Sequence, residues 1–215
     1  SNIILIDEIN RAPAKTQAAL FEAMAERQIT MDGTEFPLQP PFLVFATQNP
    51  IEQEGTYRLP EAQLDRFLFK INVKYPSLEE EVMILESKHR QKNKDMESMI
   101  VPVLSAKEIA RYQDTIKEIV VENHLMKYIA SIVIQTRSNA NLYLGASPRA
   151  SISIMDASKA LAAINGRDFV TPDDIKKVAP SILSHRILLT PEREMEGLTP
   201  EKVVRQIVEG LEVPR

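Results

Sequence analysis

The feature that most constrains the fold is a short apolar run that ends in two acidic residues. Residues 3–6 read IILI, and Asp7 and Glu8 follow directly. A continuous apolar run of this length is typical of a strand buried on both faces, as in a parallel sheet covered by helices. Ligands of open α/β sheets bind beyond the carboxyl ends of the strands. The two carboxylates are therefore placed to hold Mg²⁺ and a water against a nucleotide phosphate, although Asp7 could instead cap the following turn.

A second apolar run, residues 42–46, is predicted to form the next buried strand. It ends in the polar residues Thr47, Gln48 and Asn49, and a proline follows. Polar side chains at this point again indicate the carboxyl edge of the sheet, where the Asn49 amide could position a water or contact a phosphate. Alternatively, Asn49 only starts a turn before Pro50, as asparagine often does.

The remaining elements of this part follow from local signals. Apolar spacing predicts a helix over residues 14–27. An Asp-Gly pair at residues 32–33 separates two alternating stretches and predicts a β-hairpin, which is either a decorated loop or a lever that contacts a substrate. A short helix over 60–65 and a third strand over 67–73 complete the part, with Arg66 between them.

From residue 78 onward the apolar periodicity predicts helices alone, several of them preceded by Ser or Thr caps. Their predicted ranges are 78–92, 106–120, 122–136, 148–164, 172–184 and 200–210. The predicted fold class is α/β followed by all-α. We expect the α/β part at residues 1–76, a connecting helix and linker at 77–104, and a helical domain at 105–215.

Composition and charge exclude several classes of function. The net charge of -4 gives no electrostatic footprint for nucleic acid. The chain has no cysteine, which excludes disulfides and thiolate metal sites, and we expect a cytoplasmic location. No apolar run approaches the ~20 residues that span a bilayer. The histidines, His89, His124 and His185, lack metal-ligand spacing and are interpreted as surface or packing residues.

Four stretches together resemble one family of proteins. They are IILIDEINRAP, ITMDGTEFPL, ATQNPIEQEGTYRLPEAQLDRF and LGASPRA. They resemble four motifs of the AAA+ ATPases, and the MoxR family in particular. In the same order, these are the Walker B strand, the hairpin before sensor 1, the region from sensor 1 to the arginine finger, and the sensor 2 motif. The resemblance covers nearly the whole chain. It implies a partial AAA+ P-loop NTPase αβα core followed by a helical lid domain.

The resemblance also implies ATP and Mg²⁺ as ligands and gives a role to five residues. Asp7 would hold Mg²⁺ through its water shell, and Glu8 would polarise the water that attacks the γ-phosphate. Asn49 would be sensor 1, in contact with that water or with the γ-phosphate. Arg149 would be sensor 2, and Arg66 would be an arginine finger that enters the nucleotide site of a neighbouring subunit.

Other interpretations of the arginines stay open at this point. Arg66 could simply pair with Asp65 or Glu61, which lie close to it in the sequence. Arg58 lies in the same region and is a second candidate for the arginine finger. Arg149, taken without its motif, would be an ordinary surface arginine.

The sequence departs from the family pattern in one respect. It contains no GxxxxGK(S/T) motif, the loop whose backbone donors and lysine cradle phosphates. In the family that loop precedes the Walker B strand, so we expect the chain to be a piece of a longer protein. By itself it is expected to bind ATP weakly or not at all.

For the intact protein, the resemblance implies a homo-oligomeric ring, with a hexamer as the expected size, that hydrolyses ATP to remodel proteins. Such chaperone-like work includes maturing client protein complexes and inserting metal cofactors, with von Willebrand factor A domain proteins as partners. Nucleic acid and a membrane span are not expected. Two other functions stay open: a non-catalytic oligomerisation or adaptor module, and a magnesium-chelatase-like motor subunit.

Overall fold

The computed structural model describes residues 2–49, 59–90 and 100–213. Its first part confirms the predicted order of strand, helix, hairpin, strand and short helix. In chain order the elements are β1 (Ile3–Ile6), α1 (Ala14–Glu26), β2 (Gln28–Met31), β3 (Thr34–Pro37), β4 (Leu43–Ala46) and α2 (Glu61–Leu64). The predicted fold class, α/β followed by helices, is confirmed.

The strands β1 and β4 form the parallel sheet that positions the acidic residues. They pair in register, with Ile3 opposite Leu43 and Ile6 opposite Ala46, so their carboxyl ends lie at one edge. The prediction that β1 is buried on both faces is wrong for the structure as described. Leu5 is 70% exposed, because only one face of the strand pair is covered by the described parts of the chain.

The hairpin between α1 and β4 forms where the Asp-Gly pair predicts it. β2 and β3 are antiparallel, and Met31 and Thr34 flank the two-residue turn. Asp32 and Gly33 both have positive φ, 50° and 78°, as a turn of the primed type requires. Asp and Gly accept that conformation at low cost, which is why the pair determines the turn.

Residues 67–73 do not form the third strand that their apolar pattern predicts. They bend at Phe67 and Leu68 and then continue without regular secondary structure, and Val73 is 90% exposed. A strand needs a backbone partner, and one amide of this segment, that of Lys70, donates instead to the Ser181 carbonyl at 2.9 Å. A groove of about 620 Å³ lies between the segment and β4, with Phe45 and Phe69 among its lining residues.

Every helix predicted after residue 77 is present, close to its predicted bounds. They are α3 (Leu78–Arg90), α4 (Ala106–Lys117), α5 (Asn123–Ser138), α6 (Pro148–Ile164), α7 (Pro172–Leu183) and α9 (Pro200–Gly210). Three short elements were not predicted, since each is too short to show a period: β5 (Leu142–Leu144), β6 (Leu188–Leu189) and α8 (Pro191–Met195). The antiparallel pair β5 and β6 joins the α5–α6 connection to the segment after α7.

The helices from α5 to α9 enclose one continuous hydrophobic core. Fully buried aliphatic side chains from four helices meet in it, including Ile132, Ile154, Ile182 and Val203. Within each helix the buried residues follow an i, i+3, i+4 spacing, which puts them on its inner face. This core fixes the connections before α6 and after α7, which carry the site residues of the helical part.

The sheet part has a smaller cluster of its own. Ile9, Phe21 and Leu59 are buried in it, and the rings of Phe21 and Phe67 meet edge to face with centroids 6.2 Å apart. Gln17 is also buried, and its side chain donates to the Ile9 carbonyl at 3.2 Å. The cluster therefore holds α1 against the chain that follows β1.

Candidate functional site

The two acidic residues after β1 lie beside the polar residues after β4. The Thr47 hydroxyl donates to Asp7 Oδ1 at 2.5 Å, and it accepts from the Glu8 amide at 2.8 Å. The Thr47 amide in turn donates to the Ile6 carbonyl at 2.9 Å, and the Ile9 amide donates to the Thr47 carbonyl at 3.0 Å. These bonds extend the parallel ladder past the strand ends and fix the edge where the carboxylates project.

Glu8 has a backbone conformation that a non-glycine residue adopts only when its surroundings impose it. Its φ and ψ are 49° and 53°, in the left-handed region. Residues held in this region often lie at functional sites, where the turn directs a side chain away from the strand. The Glu8 carboxylate pairs with Arg11 Nε at 2.8 Å, a solvent-accessible contact of the kind that contributes little to stability.

Asn49 lies two residues after Thr47, half-buried at the same edge. Asp7, Thr47 and Asn49 offer carboxylate, hydroxyl and amide oxygens, the hard donors that suit Mg²⁺. Within the described ranges no group of three or more acidic or histidine side chains could enclose a metal by itself. The donor set fits a metal held by one carboxylate together with ligand oxygens and water, which is how Mg²⁺ is commonly bound.

Arg66 follows α2, and its side chain contacts its own chain. Its Nη1 lies 3.4 Å from the Phe21 carbonyl, a long hydrogen bond, and the residue is exposed. The ion pairs of its neighbour Asp65 are with other arginines, so the interpretation of Arg66 as a partner of Asp65 is not what the structure shows. The guanidinium therefore lies at the surface, held by one weak contact.

Arg149 lies in the first turn of α6, and its side chain contacts the sheet part. Its Nη1 is 3.1 Å from Asp65 Oδ2. The hydroxyl of Ser147, the N-cap of α6, donates to the same oxygen at 3.0 Å. The Asp65 carboxylate thus sits at the positive end of the α6 dipole, which favours a negative charge there.

The glycine of the GASPRA stretch has a steric reason to be there. A Cβ at Gly145 would lie 2.7 Å from the Arg137 Cα and from the Thr136 carbonyl oxygen. The Ala146 amide donates to Thr136 Oγ1 at 2.9 Å, and Arg137 Nε donates to the Ala146 carbonyl at 2.9 Å. Only glycine permits this approach to α5, so the loop places the start of α6 accurately.

A second arginine of the helical part, Arg186, reaches Asp65 from the loop after α7. Its Nε lies 3.0 Å from Asp65 Oδ1, an ion pair that is not aligned as a good hydrogen bond. Its Nη2 donates to two backbone carbonyls, those of Asp65 at 3.1 Å and Phe67 at 2.9 Å. The side chain is 2% exposed. Burial lowers the pKa of Arg186, and the Asp65 charge opposes this effect only in part. The guanidinium still stays charged, because the ordinary pKa of arginine lies far above neutral pH.

His185 makes a parallel contact beside Arg186. Its Nε2 lies 2.9 Å from the Phe67 carbonyl. Since a carbonyl only accepts, Nε2 carries the proton and donates. Burial of the imidazole lowers the pKa of His185 to about 4, against the opposing effect of the Phe67 hydrogen bond, so the ring is neutral at pH 7. The interpretation of His185 as a packing residue agrees with this placement.

The structure brings the predicted site residues into two groups. Asp7, Glu8 and Asn49 share the carboxyl edge of the sheet. Arg66 and Arg149 lie around Asp65, where Arg149 is ion-paired. Arg58, the second candidate for the arginine finger, lies outside the described residues.

Three contributors were missed by sequence reasoning: Thr47, Asp65 and Arg186. The position of Thr47 directly after an apolar run was a usable signal, since the strand ends converge. Arg186 gave no local signal, because 121 residues separate it from Asp65.

Comparisons with known proteins agree with this fold. The family model of the ATPase family associated with various cellular activities (AAA) matches residues 1–69, and that of the AAA lid domain matches residues 134–207. The uncharacterized protein YeaC of Bacillus subtilis is 46% identical over 99% of this chain and 66% of its own length. The chaperone MoxR1 of Mycobacterium tuberculosis is 43% identical over 100% of this chain and 58% of its own length. A crystal structure of a Cytophaga hutchinsonii protein at 41% identity superposes with a TM-score of 0.92, covering 100% of this chain and 67% of that one.

The α/β part with its acidic edge and the helical part above it define an AAA+ architecture. The chain belongs to the MoxR-type AAA+ proteins. It spans 66% and 58% of the lengths of YeaC and MoxR1. In the described parts of the chain, no helix has both the length and the apolar run that a bilayer crossing needs.

Proposed function

We propose that the chain is part of an ATP-hydrolysing, ring-forming AAA+ chaperone that remodels proteins. The observation that carries the proposal is the contact of Asp7 and Glu8 with Thr47 at the joint carboxyl edge of β1 and β4. Phosphoryl transfer needs little covalent help from a protein and depends on positioning and charge. A rigid edge with two carboxylates and an amide supplies both.

Each residue at this edge has a task that its geometry supports. The Thr47 hydroxyl donates to Asp7, which leaves the other carboxylate oxygen lone pairs for the water shell of Mg²⁺. Glu8 lies next in the chain, and its half-buried carboxylate can leave Arg11 to accept a proton from the attacking water. Asn49 orients that water or the γ-phosphate. The metal, when bound, supplies positive charge at the phosphate oxygens.

The two arginines supply charge from outside the sheet edge. We assign Arg66 as the arginine finger because it is exposed and held by one long hydrogen bond, so it is available to a neighbouring subunit. Arg58 remains the alternative for this role. Arg149 is assigned as sensor 2, which would exchange Asp65 for the γ-phosphate when nucleotide is bound. A finger supplied in trans makes hydrolysis depend on assembly of the ring.

At the level of the whole protein, the proposal includes a hexameric ring, ATP and Mg²⁺ as ligands, and a cytoplasmic location. Its partners would be von Willebrand factor A domain proteins, and its clients would be protein complexes that need maturation or a metal cofactor. The relative MoxR1 carries the name chaperone, which supports this direction. The domain limits at residues 76 and 104 are part of the same proposal.

The test is ATP turnover of Glu8→Gln and Arg66→Ala in the full-length protein. We expect Glu8→Gln to lower kcat by about 10²–10⁴ while ATP still binds tightly, because the phosphate contacts survive and only the base is lost. Arg66→Ala should lower kcat by about 10³–10⁵. Glu209→Gln and Arg205→Ala, exposed residues of α9, are the matched controls and should keep the wild-type rate. Near-wild-type turnover in both site variants would refute the proposed mechanism.

A second candidate is a non-catalytic oligomerisation or adaptor module of the same fold. It predicts that the full-length protein assembles but does not turn over ATP, and that Glu8→Gln changes nothing.

A further inference from the structure

One buried side chain of the helical part, Arg186, contacts the backbone on both sides of Arg66. Arg186 Nη2 donates to the carbonyl of the residue before Arg66 and to that of the residue after it, at 3.1 and 2.9 Å. Its Nε pairs with the Asp65 carboxylate at 3.0 Å. The Arg66 amide donates to the Gln63 carbonyl at 3.2 Å, and its side chain makes one hydrogen bond, at 3.4 Å to the Phe21 carbonyl. The direction in which Arg66 leaves the backbone is therefore set more by Arg186 than by contacts of Arg66.

This arrangement depends on guanidinium chemistry. One planar group must reach a carboxylate and two carbonyls at once, and arginine presents its five donors in a fixed fork. Lysine carries the same charge on a compact ammonium and cannot reproduce that geometry. The side chain is 2% exposed, so water does not replace the bonds when they are lost.

Arg186 is in turn fixed by the core of the helical part. It follows α7, whose C-terminal end packs over the same segment. The Ser181 carbonyl accepts from the Lys70 amide at 2.9 Å, and His185 donates to the Phe67 carbonyl at 2.9 Å. The backbone from residue 65 to residue 70 thus follows the end of α7 at several points.

We propose that Arg186 is a positioning residue for the arginine finger: it fixes the Arg66 backbone to the helical part, so the placement of that part sets how Arg66 meets the neighbouring subunit. This inference rests on the proposed role of Arg66. Arg149 and Ser147 hold the Asp65 side chain from α6, so both helix connections act on the same residue next to Arg66. A movement of the helical part would therefore move Arg66.

The test compares Arg186→Gln with Arg66→Ala in the full-length protein. Because a displacement of about 1 Å can cost about 10² in rate, we expect Arg186→Gln to lower kcat by about 10²-fold. The affinity for ATP should change little, since the nucleotide site of the same subunit is intact. The double variant Arg66→Ala, Arg186→Gln should be no slower than Arg66→Ala, because Arg186 acts through Arg66. Arg205→Gln, an exposed arginine on α9, is the control.

Mixed rings separate a positioning role from a structural one. Subunits with Glu8→Gln have a correctly placed Arg66 but an inactive nucleotide site. Subunits with Arg186→Gln have an intact nucleotide site but a displaced Arg66. Random mixing in equal amounts should restore roughly a quarter of wild-type turnover, since that share of sites combines the two intact halves. Arg66→Ala subunits should be rescued in the same way.

The outcomes are distinguishable. Wild-type turnover of Arg186→Gln, or rescue of Arg66→Ala without rescue of Arg186→Gln, would overturn the inference and leave the proposed function in place. Wild-type turnover of Arg66→Ala would overturn the inference and the assignment of Arg66 as the finger. The proposed function would fail only if Glu8→Gln also kept wild-type turnover. If Arg186→Gln does not fold, Arg186→Lys replaces it: the lysine keeps a charge opposite Asp65 but loses the fork. Folded Arg186→Lys with full turnover would also contradict the inference.

Discussion

The sheet part and the helical part of this chain are held together in different ways. In the helical part, aliphatic side chains from α5, α6, α7 and α9 form one continuous core. In the sheet part, three buried side chains form a small cluster, and apolar residues of β1 and β4 remain exposed. The acidic edge therefore depends on a few backbone and Thr47 hydrogen bonds, whereas Arg149 and Arg186 extend from elements anchored to a packed core.

The two groups of predicted site residues are held in place by different parts of the chain. Asp7 and Glu8 are placed by local pairing of two strand ends, over a short stretch of backbone. The backbone on either side of Arg66 is contacted by two buried side chains of the helical part, Arg186 and His185. Packed cores move as units rather than deforming continuously, so the helical part can carry Arg66 with it when it shifts.

The largest expected effect is on stability, from truncating one isoleucine in each region of the 215-residue chain. Ile154→Ala should lower the free energy of unfolding by about 3–4 kcal/mol, because Ile154 is fully buried and its removal leaves a cavity. Ile3→Ala should cost less than about 1 kcal/mol, because that side chain is 59% exposed. Guanidinium unfolding followed by circular dichroism measures both. Equal losses of unfolding free energy would contradict the conclusion that the helical part is packed more tightly than β1.

The local elements could be predicted from the sequence because their signals are local. Asp32-Gly33 determines its turn through backbone conformation, and Ser147 and Thr171 mark helix starts through capping bonds. The proximity of Asp7 to the residues after β4 could also be predicted from the two apolar runs, because parallel strands bring their carboxyl ends together.

What could not be predicted depends on long-range partners. Residues 67–73 have the composition of a strand, but a strand exists only with a partner along its edge, and composition does not supply one. The Asp65–Arg186 contact joins residues 121 positions apart, and its strength comes from burial by a core that no local pattern describes. The interpretation that Arg66 pairs with Asp65 was therefore wrong, because the ion-pair partners of Asp65 are Arg149 and Arg186.

The pH dependence of stability tests how well the junction of the two regions is buried, because His185 lies there. The pKa of His185 is lowered to about 4 in the folded chain by burial, with Arg186 and Lys70 nearby and Asp65 opposing them. The unfolded chain binds this proton near pH 6.5, before the folded chain does. The contribution of neutral His185 to the free energy of unfolding is therefore fully present above about pH 6.5, and it is lost as the pH falls toward 4.

We expect this loss to be on the order of 2–3 kcal/mol. Other groups titrate in the same range, so the measurement is the difference between wild type and His185→Gln. Glutamine can still donate to the Phe67 carbonyl but does not titrate. The free energy of unfolding of wild type should fall relative to the variant between pH 6.5 and 4. Parallel curves over that range would show that His185 is not a buried neutral residue at the junction.

The smallest effect concerns a cap within the helical part. Asp174 is 4% exposed and accepts from the amide and hydroxyl of Thr171 and from both terminal nitrogens of Arg167, at 2.6–2.9 Å. Burial raises the pKa of Asp174, but these hydrogen bonds outweigh it and the net shift is downward. Asp174→Ala removes the cap of α7 and should lower the free energy of unfolding by about 1–2 kcal/mol. Asp173→Ala, an exposed acid in the same turn, is the matched control and should cost less than about 0.5 kcal/mol. Equal effects of the two variants would show that the hydrogen bonds of Asp174 do not stabilise the start of α7.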